Sequence, residues 1–320
     1  SEYRMAFNRL RFCGFAKRSC SWVIDRSPFM ISVIISGAGG QLGKAMKKQM
    51  SFQEGFSVFT FDRGQLDISD KDKVMGVLTA LPKTQYWINC AAYTKVDDAE
   101  TNAADAHLYN CIAPRIVAES CREAGVHLFD FSSDYVYHNN IHRPLLETDP
   151  TEPKGVYARS KRDGELAISS SGVSFTILRT SWVFGPGGHN FVNTMLRLGK
   201  TRPTLRIVGD QLGAPTYTLD IADTVKYLIH LDRLGRREDI RGLFNYANAG
   251  AVTWDNFARS IFSHSGIACA VETITTQEYG APAPRPPYSI LDCTKISRLL
   301  GNPIPDWENA LTRYLESLQD

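Results

Sequence analysis

From Met30 onward the chain alternates short apolar runs with stretches in which apolar residues return every three or four positions, the spacing of a helix with one buried face. Ile31–Ser36 reads as a first strand, and Leu42, Ala45, Met46 and Met50 then form a helical stripe. Phe56–Phe61 is a second strand, followed by a helix around residues 70–81 that Pro82 stops. Trp87–Cys90 reads as strand three. The stretch 102–124 lays Ala106, Tyr109, Ala113, Ile116, Val117 and Ser120 on one helix face and ends at Gly125. His127–Ser132 is strand four, a polar loop spans 138–154, a helix carries Tyr157 and Lys161, and Phe175–Arg179 is a further strand. Strands alternating with helices predict an α/β fold, a doubly wound parallel sheet covered on both faces.

Beyond Gly185 the pattern loosens into glycine and proline breaks with shorter helices, at 219–231, 254–263 and 307–318. That texture predicts a smaller C-terminal lobe. The boundaries read as a leader over 1–29, a first domain over 30–184, and a second over 185–320 with some segments returning to the first.

Composition changes this picture mainly at the N-terminus. The 320 residues carry a net charge of +2, but residues 1–29 alone hold six basic side chains against Glu2 and Asp25, leaving the remainder at −2. The body therefore gives no electrostatic case for nucleic acid. The leader has no apolar segment of signal-peptide length, and Met30 is the expected start of the fold; an arginine-rich transit peptide is the rival reading. Seven scattered cysteines without a Cys-x-x-Cys pair fit free thiols in a reducing, cytoplasmic setting, and no apolar run is long enough to span a bilayer. His138 and His142 lack the cysteine or acid spacing of a metal site, so no metal ligand is assigned.

Candidate chemistry starts at Gly37-Ala-Gly-Gly-Gln-Leu-Gly43, a glycine-rich turn between the first strand and the first helix. Gly37, Gly39, Gly40 and Gly43 with Gln41 and Leu42 present a backbone without side chains, and a helix N-terminus, to a pyrophosphate. The fold expected is therefore Rossmann-type. Asp62 closes strand two where an acid would bind the adenosine ribose, and Arg63 beside it suits a 2′-phosphate, so NADH and NADPH both remain open. Asp67 and Ile68 flank the adenine position, with helix capping an equal reading for Asp67. Ala91 and Ala92, with Tyr93, are small where a dinucleotide backbone passes.

Ser133 ends strand four, and Tyr157 stands four residues before Lys161, on one helical face. A phenol has a reference pKa of about 10, so acid–base work near neutrality needs a charge beside it, which Lys161 is expected to supply. Ser133, Tyr157 and Lys161, in this order after the glycine loop, resemble the catalytic set of the short-chain dehydrogenase/reductase superfamily. Ala91-Ala-Tyr-Thr-Lys-Val-Asp-Asp-Ala-Glu100, Ser133-Asp-Tyr-Val136, Arg179-Thr-Ser-Trp-Val183, Asn190-Phe-Val-Asn-Thr-Met195, Gly209-Asp-Gln-Leu-Gly-Ala-Pro-Thr216 and Arg285-Pro286 narrow the resemblance to the dTDP-4-dehydrorhamnose reductase family, from Met30 to about Leu318. Two departures stand out: Ser133 where many relatives carry threonine, and Ala158 where glycine commonly follows the tyrosine.

The resemblance implies a reductase of the C4 keto group of a nucleotide-linked 4-keto-6-deoxy sugar, using NADPH or NADH. Val96, Asp134, Tyr135, Trp182 and Arg285 would line the sugar nucleotide site. It also implies a homodimer, and related reductases bind Mg2+ through acids that do not map onto this chain. Asp134 is followed by Tyr135 and not by a glutamate, which favours simple reduction over a 4,6-dehydratase. The competing reading is a non-catalytic regulatory subunit similar to the methionine adenosyltransferase β subunit, which needs neither the acid nor the sugar pocket.

Overall fold

A computed structural model describes residues 30–51 and 55–319; the leader expectation for 1–29 lies outside the described residues. The expected strands form at Ile31–Ser36 (β1), Phe56–Phe61 (β2), Tyr86–Asn89 (β3), His127–Ser133 (β4) and Phe175–Thr180 (β5). All pair in parallel, in the order β5-β4-β3-β1-β2, and the strand Gly242–Asn245 adds to the outer side of β5. Strand three begins one residue earlier than expected because Tyr86 is buried and in register with Val33; Cys90 lies past its end. β1, β3 and β4 are buried along their whole length, as a sheet covered on both faces requires.

One face is sealed by the helices Gln41–Ser51 and Thr218–Arg233, whose Met46, Met50, Val225 and Leu228 pack on Val33, Ile35 and Phe129. The other is sealed by Lys71–Ala80 and Ala113–Ala124, with Val74, Leu78 and Val117 against Ile34, Trp87 and Leu128. Each such buried apolar side chain contributes roughly 1.5–3 kcal/mol. A third cluster joins Phe191–Gly199, Trp254–His264 and Trp307–Glu316 to a separate pair of parallel strands, Thr204–Val208 and Ala270–Ile274.

The stretch expected as one helix over 102–124 is interrupted. Ala103–His107 and Ala113–Ala124 are α-helical, but Leu108–Ile112 forms a π-turn. Opposite it, Gly164 on the helix Val156–Ser170 packs so tightly on the Asn110 carbonyl that an added Cβ would overlap it. Wide turns of this kind often mark functional positions.

Candidate active site

Because every strand of the sheet is parallel, the carboxyl ends of β1 to β5 lie along one edge, and the expected site residues gather there. After β1 the chain turns at Gly37, with φ of 71°. A Cβ there would overlap the Ala91 amide, and one on Gly43 would overlap the Gly37 carbonyl, so the turn presses onto both the exit of β3 and its own helix. Gly39 and Gly40 are exposed, and the helix Gln41–Ser51 starts directly behind them. A cavity of about 420 Å³ results, bounded by Gly37, Gly40, Asp62, Arg63, Ala91 and Tyr93, and also touched by Gly39, Asp67, Ile68 and Ala92. Free amides of a helix N-terminus, a backbone without Cβ, and a carboxylate and guanidinium at the far end fit a dinucleotide.

Two expected residues turn away from this cavity. Gln41 donates to the Val183 carbonyl at 3.2 Å and accepts from Asn190 Nδ2 at 3.0 Å, so its side chain ties the loop to the later chain. Leu42 packs into the core beneath the sheet. Asp62 Oδ1 accepts from the Gly64 and Gln65 amides at 2.9 and 3.0 Å, and Arg63 donates to the Tyr109 hydroxyl at 2.9 Å. Asp67 closes a short turn through Ser69, whose hydroxyl and amide donate to it and hold its carboxyl below the usual range; the helix cap itself is Asp70.

Ser133, Tyr157 and Lys161 come together where β4 ends against Val156–Ser170. That helix is set by Glu100, which accepts from the Val156 amide at 2.7 Å, and by Asn110, which bonds the Tyr93 backbone at 2.9 and 3.0 Å and Ser160 Oγ at 3.0 Å. Lys161 is buried and donates to the Phe131 carbonyl at 2.6 Å. Ser133 donates to Asp134 Oδ1 at 2.9 Å, while Asp134 Oδ2 is buried without a protein partner.

Lys161 together with an oxidised nicotinamide ring is the expected source of a lowered Tyr157 pKa; in the protein alone, burial is the larger effect. Burial pushes the phenol up to about 12, against the pull of the Ser133 hydroxyl and with the added push of Asp134. Burial also lowers Lys161, while Asp130 and Glu165 pull it back up. The phenol is therefore protonated at neutral pH, the state a proton donor needs. Asp134 is raised to about 6 by the same burial.

On the far side of Tyr157, Tyr135 meets its ring edge-on at 5.7 Å and lines a second cavity of about 690 Å³. Phe191, Arg202, Arg206, Trp254 and Arg285 share that lining. Arg285, expected to line the sugar nucleotide site, is held by Asp97 through two bonds of 3.0 and 2.8 Å and by the Ala283 carbonyl, leaving Nε and one further N–H to offer. Trp182, expected to stack on sugar, is stacked on Trp254 at 3.4 Å, so one indole face is taken. Its backbone is the one non-glycine with positive φ, at 46°, among the described residues. Val96 starts the short helix Val96–Ala99 and is half-buried.

Sequence reasoning missed Tyr109, Asn110, Arg202, Arg206 and Trp254. Asn110 had one legible signal, a polar amide inside an otherwise apolar helical stripe; the others depend on contacts far apart in the chain. Among the described residues no group of three or more His, Cys, Asp or Glu side chains is placed to hold a metal ion, and no described helix is long and apolar enough to cross a membrane.

Residues 31–320 match the family described as RmlD substrate binding domain. The spore coat polysaccharide biosynthesis protein SpsK of Bacillus subtilis is 37% identical over 288 residues, covering 90% of this chain and 98% of that protein. A dTDP-4-dehydrorhamnose reductase of Aggregatibacter actinomycetemcomitans is 36% identical, covering 88% and 97%. The crystal structure of dTDP-4-dehydrorhamnose reductase from Bacillus anthracis, in complex with NADP, superposes with a TM-score of 0.84 at 36% identity, over 90% of this chain and 99% of that one. With its parallel six-stranded sheet, its glycine turn and its Ser133, Tyr157 and Lys161 at one sheet edge, the chain belongs to the RmlD substrate-binding-domain family, that of the dTDP-4-dehydrorhamnose reductases.

Proposed function

We propose that the protein reduces the C4 keto group of a dTDP-linked 4-keto-6-deoxy sugar, giving the rhamnose form for polysaccharide biosynthesis. The observation that carries this reading is the position of Tyr157. Its ring touches the lining of the arginine-bearing cavity through Tyr135, and its helix is tied through Asn110 to the Tyr93 side of the glycine-loop cavity. Bound at the glycine loop, a reduced nicotinamide dinucleotide supplies the hydride.

Tyr157 delivers the proton to the sugar oxygen, and its protonated resting state suits that direction of transfer. Ser133 lies beside the carbonyl and fixes it by turning its one proton from Asp134 Oδ1 to the substrate oxygen when the sugar binds. Asp134, which the Ser289 and Ser133 hydroxyls help to stabilise, is the acceptor for a sugar hydroxyl through Oδ2. Lys161 holds the dinucleotide ribose. Arg202, Arg206 and the free edge of Arg285 take the diphosphate, and Phe191 and Trp254 provide apolar surface for the base or sugar. The 185–320 segment is, on this reading, mainly the substrate lobe.

Arg63 favours NADPH over NADH. The five described cysteines are free thiols, which suits the cytosol, and a homodimer measurable by light scattering is part of the reading. The test is to mix the protein with the dTDP-4-keto-6-deoxy sugar and NADPH and follow loss of the reduced-nicotinamide absorbance. Oxidation is expected, and Tyr157→Phe should keep cofactor affinity while losing roughly 10²–10⁴ in kcat. Equal turnover in that variant would remove the tyrosine from the mechanism.

A further inference from the structure

A row of buried polar side chains crosses three strands beneath the catalytic helix. Ser36 and Asn89 are register partners on β1 and β3, as are Asn89 and Asp130 on β3 and β4. Trp87 Nε1 donates to Ser36 Oγ at 3.0 Å, Ser36 Oγ to Asn89 Oδ1 at 2.8 Å, and Asn89 Nδ2 to Asp130 Oδ2 at 2.6 Å. The Ala91 amide also donates to Asn89 Oδ1, at 3.2 Å. Two donors on its oxygen fix the Asn89 amide, so its NH2 must face the carboxylate. Valine or isoleucine at these positions would cost less to bury, so stability alone gives this row no reason to exist.

Its end explains it. Lys161 is buried and donates to the carbonyl of Phe131, the residue next to Asp130 on β4, and the charges of two carboxylates act on it: Asp130 from that strand and Glu165 one turn along its own helix. Glu165 is committed elsewhere. Arg179 Nε and Nη2 donate to its two oxygens at 2.7 Å each, and Arg162 adds a contact at 3.3 Å. Two guanidiniums share the Glu165 carboxylate and offset much of its charge, so its pull on Lys161 is the lesser one. Asp130 meets a neutral amide instead. The remaining titratable neighbours are the Cys90 thiol from β3, which burial and Asp130 hold well above its ordinary value, and the protonated Tyr157 one turn away.

We infer that Asp130 is a positioning residue of this reductase, supplying through the Ser36–Asn89–Asp130 row the counter-charge that keeps buried Lys161 an ammonium where it meets dinucleotide and tyrosine. The inference rests on the reductase reading. Asp130→Asn keeps the shape and can still accept from Asn89, and removes only the charge.

The experiment measures NADPH affinity, by nicotinamide fluorescence, across the alkaline range, and kcat/KM for the keto sugar in parallel. The carboxylate stabilises the protonated lysine, so its loss lowers the Lys161 pKa. The alkaline edge of both profiles is expected to move down by about one pH unit in Asp130→Asn, and to be restored in Asp130→Glu. A folded Asp130→Asn with an unmoved edge overturns the inference while leaving the reductase intact. A wild type that neither binds NADPH nor turns over the sugar overturns both readings. If Asp130→Asn does not fold, the Lys161 Cε resonance of the wild-type holoenzyme, assigned with Lys161→Arg, decides: it should show the ammonium form at neutral pH, and a neutral lysine there overturns the proposal.

Discussion

Arg63 sits over the Tyr109 ring, its guanidinium carbon 4.5 Å from the centroid, and donates one N–H to the hydroxyl. The stacking orients the side chain at the mouth of the glycine-loop cavity and leaves most of its N–H groups for an incoming 2′-phosphate. A charge-assisted hydrogen bond contributes about 1.5–3 kcal/mol, so Arg63→Ala should raise the KM for NADPH about tenfold or more and leave that for NADH nearly unchanged. Steady-state kinetics with each cofactor checks it, and an equal effect on both would assign Arg63 to general packing. Asp62 was legible from its place at a strand end, but the use of its Oδ1 by two turn amides was not. Arg285 shows the same divide. Its type and proline context suggest a contact, yet its partner Asp97 lies 188 positions away. Trp182 likewise has its indole partner, Trp254, on another element.

The helix Val156–Ser170 carries both Tyr157 and Lys161, so its seat on the π-turn decides their placement. Gly164→Ala pushes a methyl into the Asn110 carbonyl and should cost about 1–3 kcal/mol, with turnover falling further because the helix must shift. Gly76, mid-helix in Lys71–Ala80 with no atom near its missing Cβ, is the contrast: Gly76→Ala should raise stability by about 0.5–1 kcal/mol. Thermal unfolding of the pair checks both signs, and a neutral Gly164→Ala would mean that the two helices slide freely. The elements themselves were readable because strands such as β1 centre on short apolar runs and the helices between them repeat at three and four, with breaks at residues such as Pro82 and Gly125. The strand Gly242–Asn245 was not. Four residues with no alternation carry too little pattern, and their identity as a strand comes from pairing with β5. The π-turn was equally hidden, since the apolar stripe runs through it and only contact with Gly164 reveals the extra residue.

Across the whole molecule, β4 links two kinds of buried charge. It begins at His127, closed off between Ser174 and Thr176, and ends at Ser133 and the active site. Thr176 spends its proton on the Ile240 carbonyl, so His127 Nε2 must donate to it and Nδ1 accepts from Ser174. Burial, with Arg237 adding to it, lowers His127 to about 3, whereas burial raises Asp130 and Asp134 to about 6. The signs oppose each other. His127 stays neutral when folded, so its stability is full above the unfolded value of about 6.5 and drains as pH falls toward 3. Each raised carboxylate weakens the fold above 6, and that cost is relieved as pH falls toward the ordinary 3.8. Between about pH 6 and 4 two carboxylates gain while one imidazole loses, so the balance of these three groups favours the fold as pH falls; below about 4 the carboxylates have nothing more to give and His127 alone drains stability down to about pH 3. His127→Gln removes the draining term. At pH 7 it should be less stable than the wild type through lost packing, but the gap should close by a few kcal/mol as pH falls from about 6.5 to about 3.5. Urea unfolding at the two ends of that range measures the gap, and a gap of constant size would show that the imidazole takes up its proton without opening the sheet.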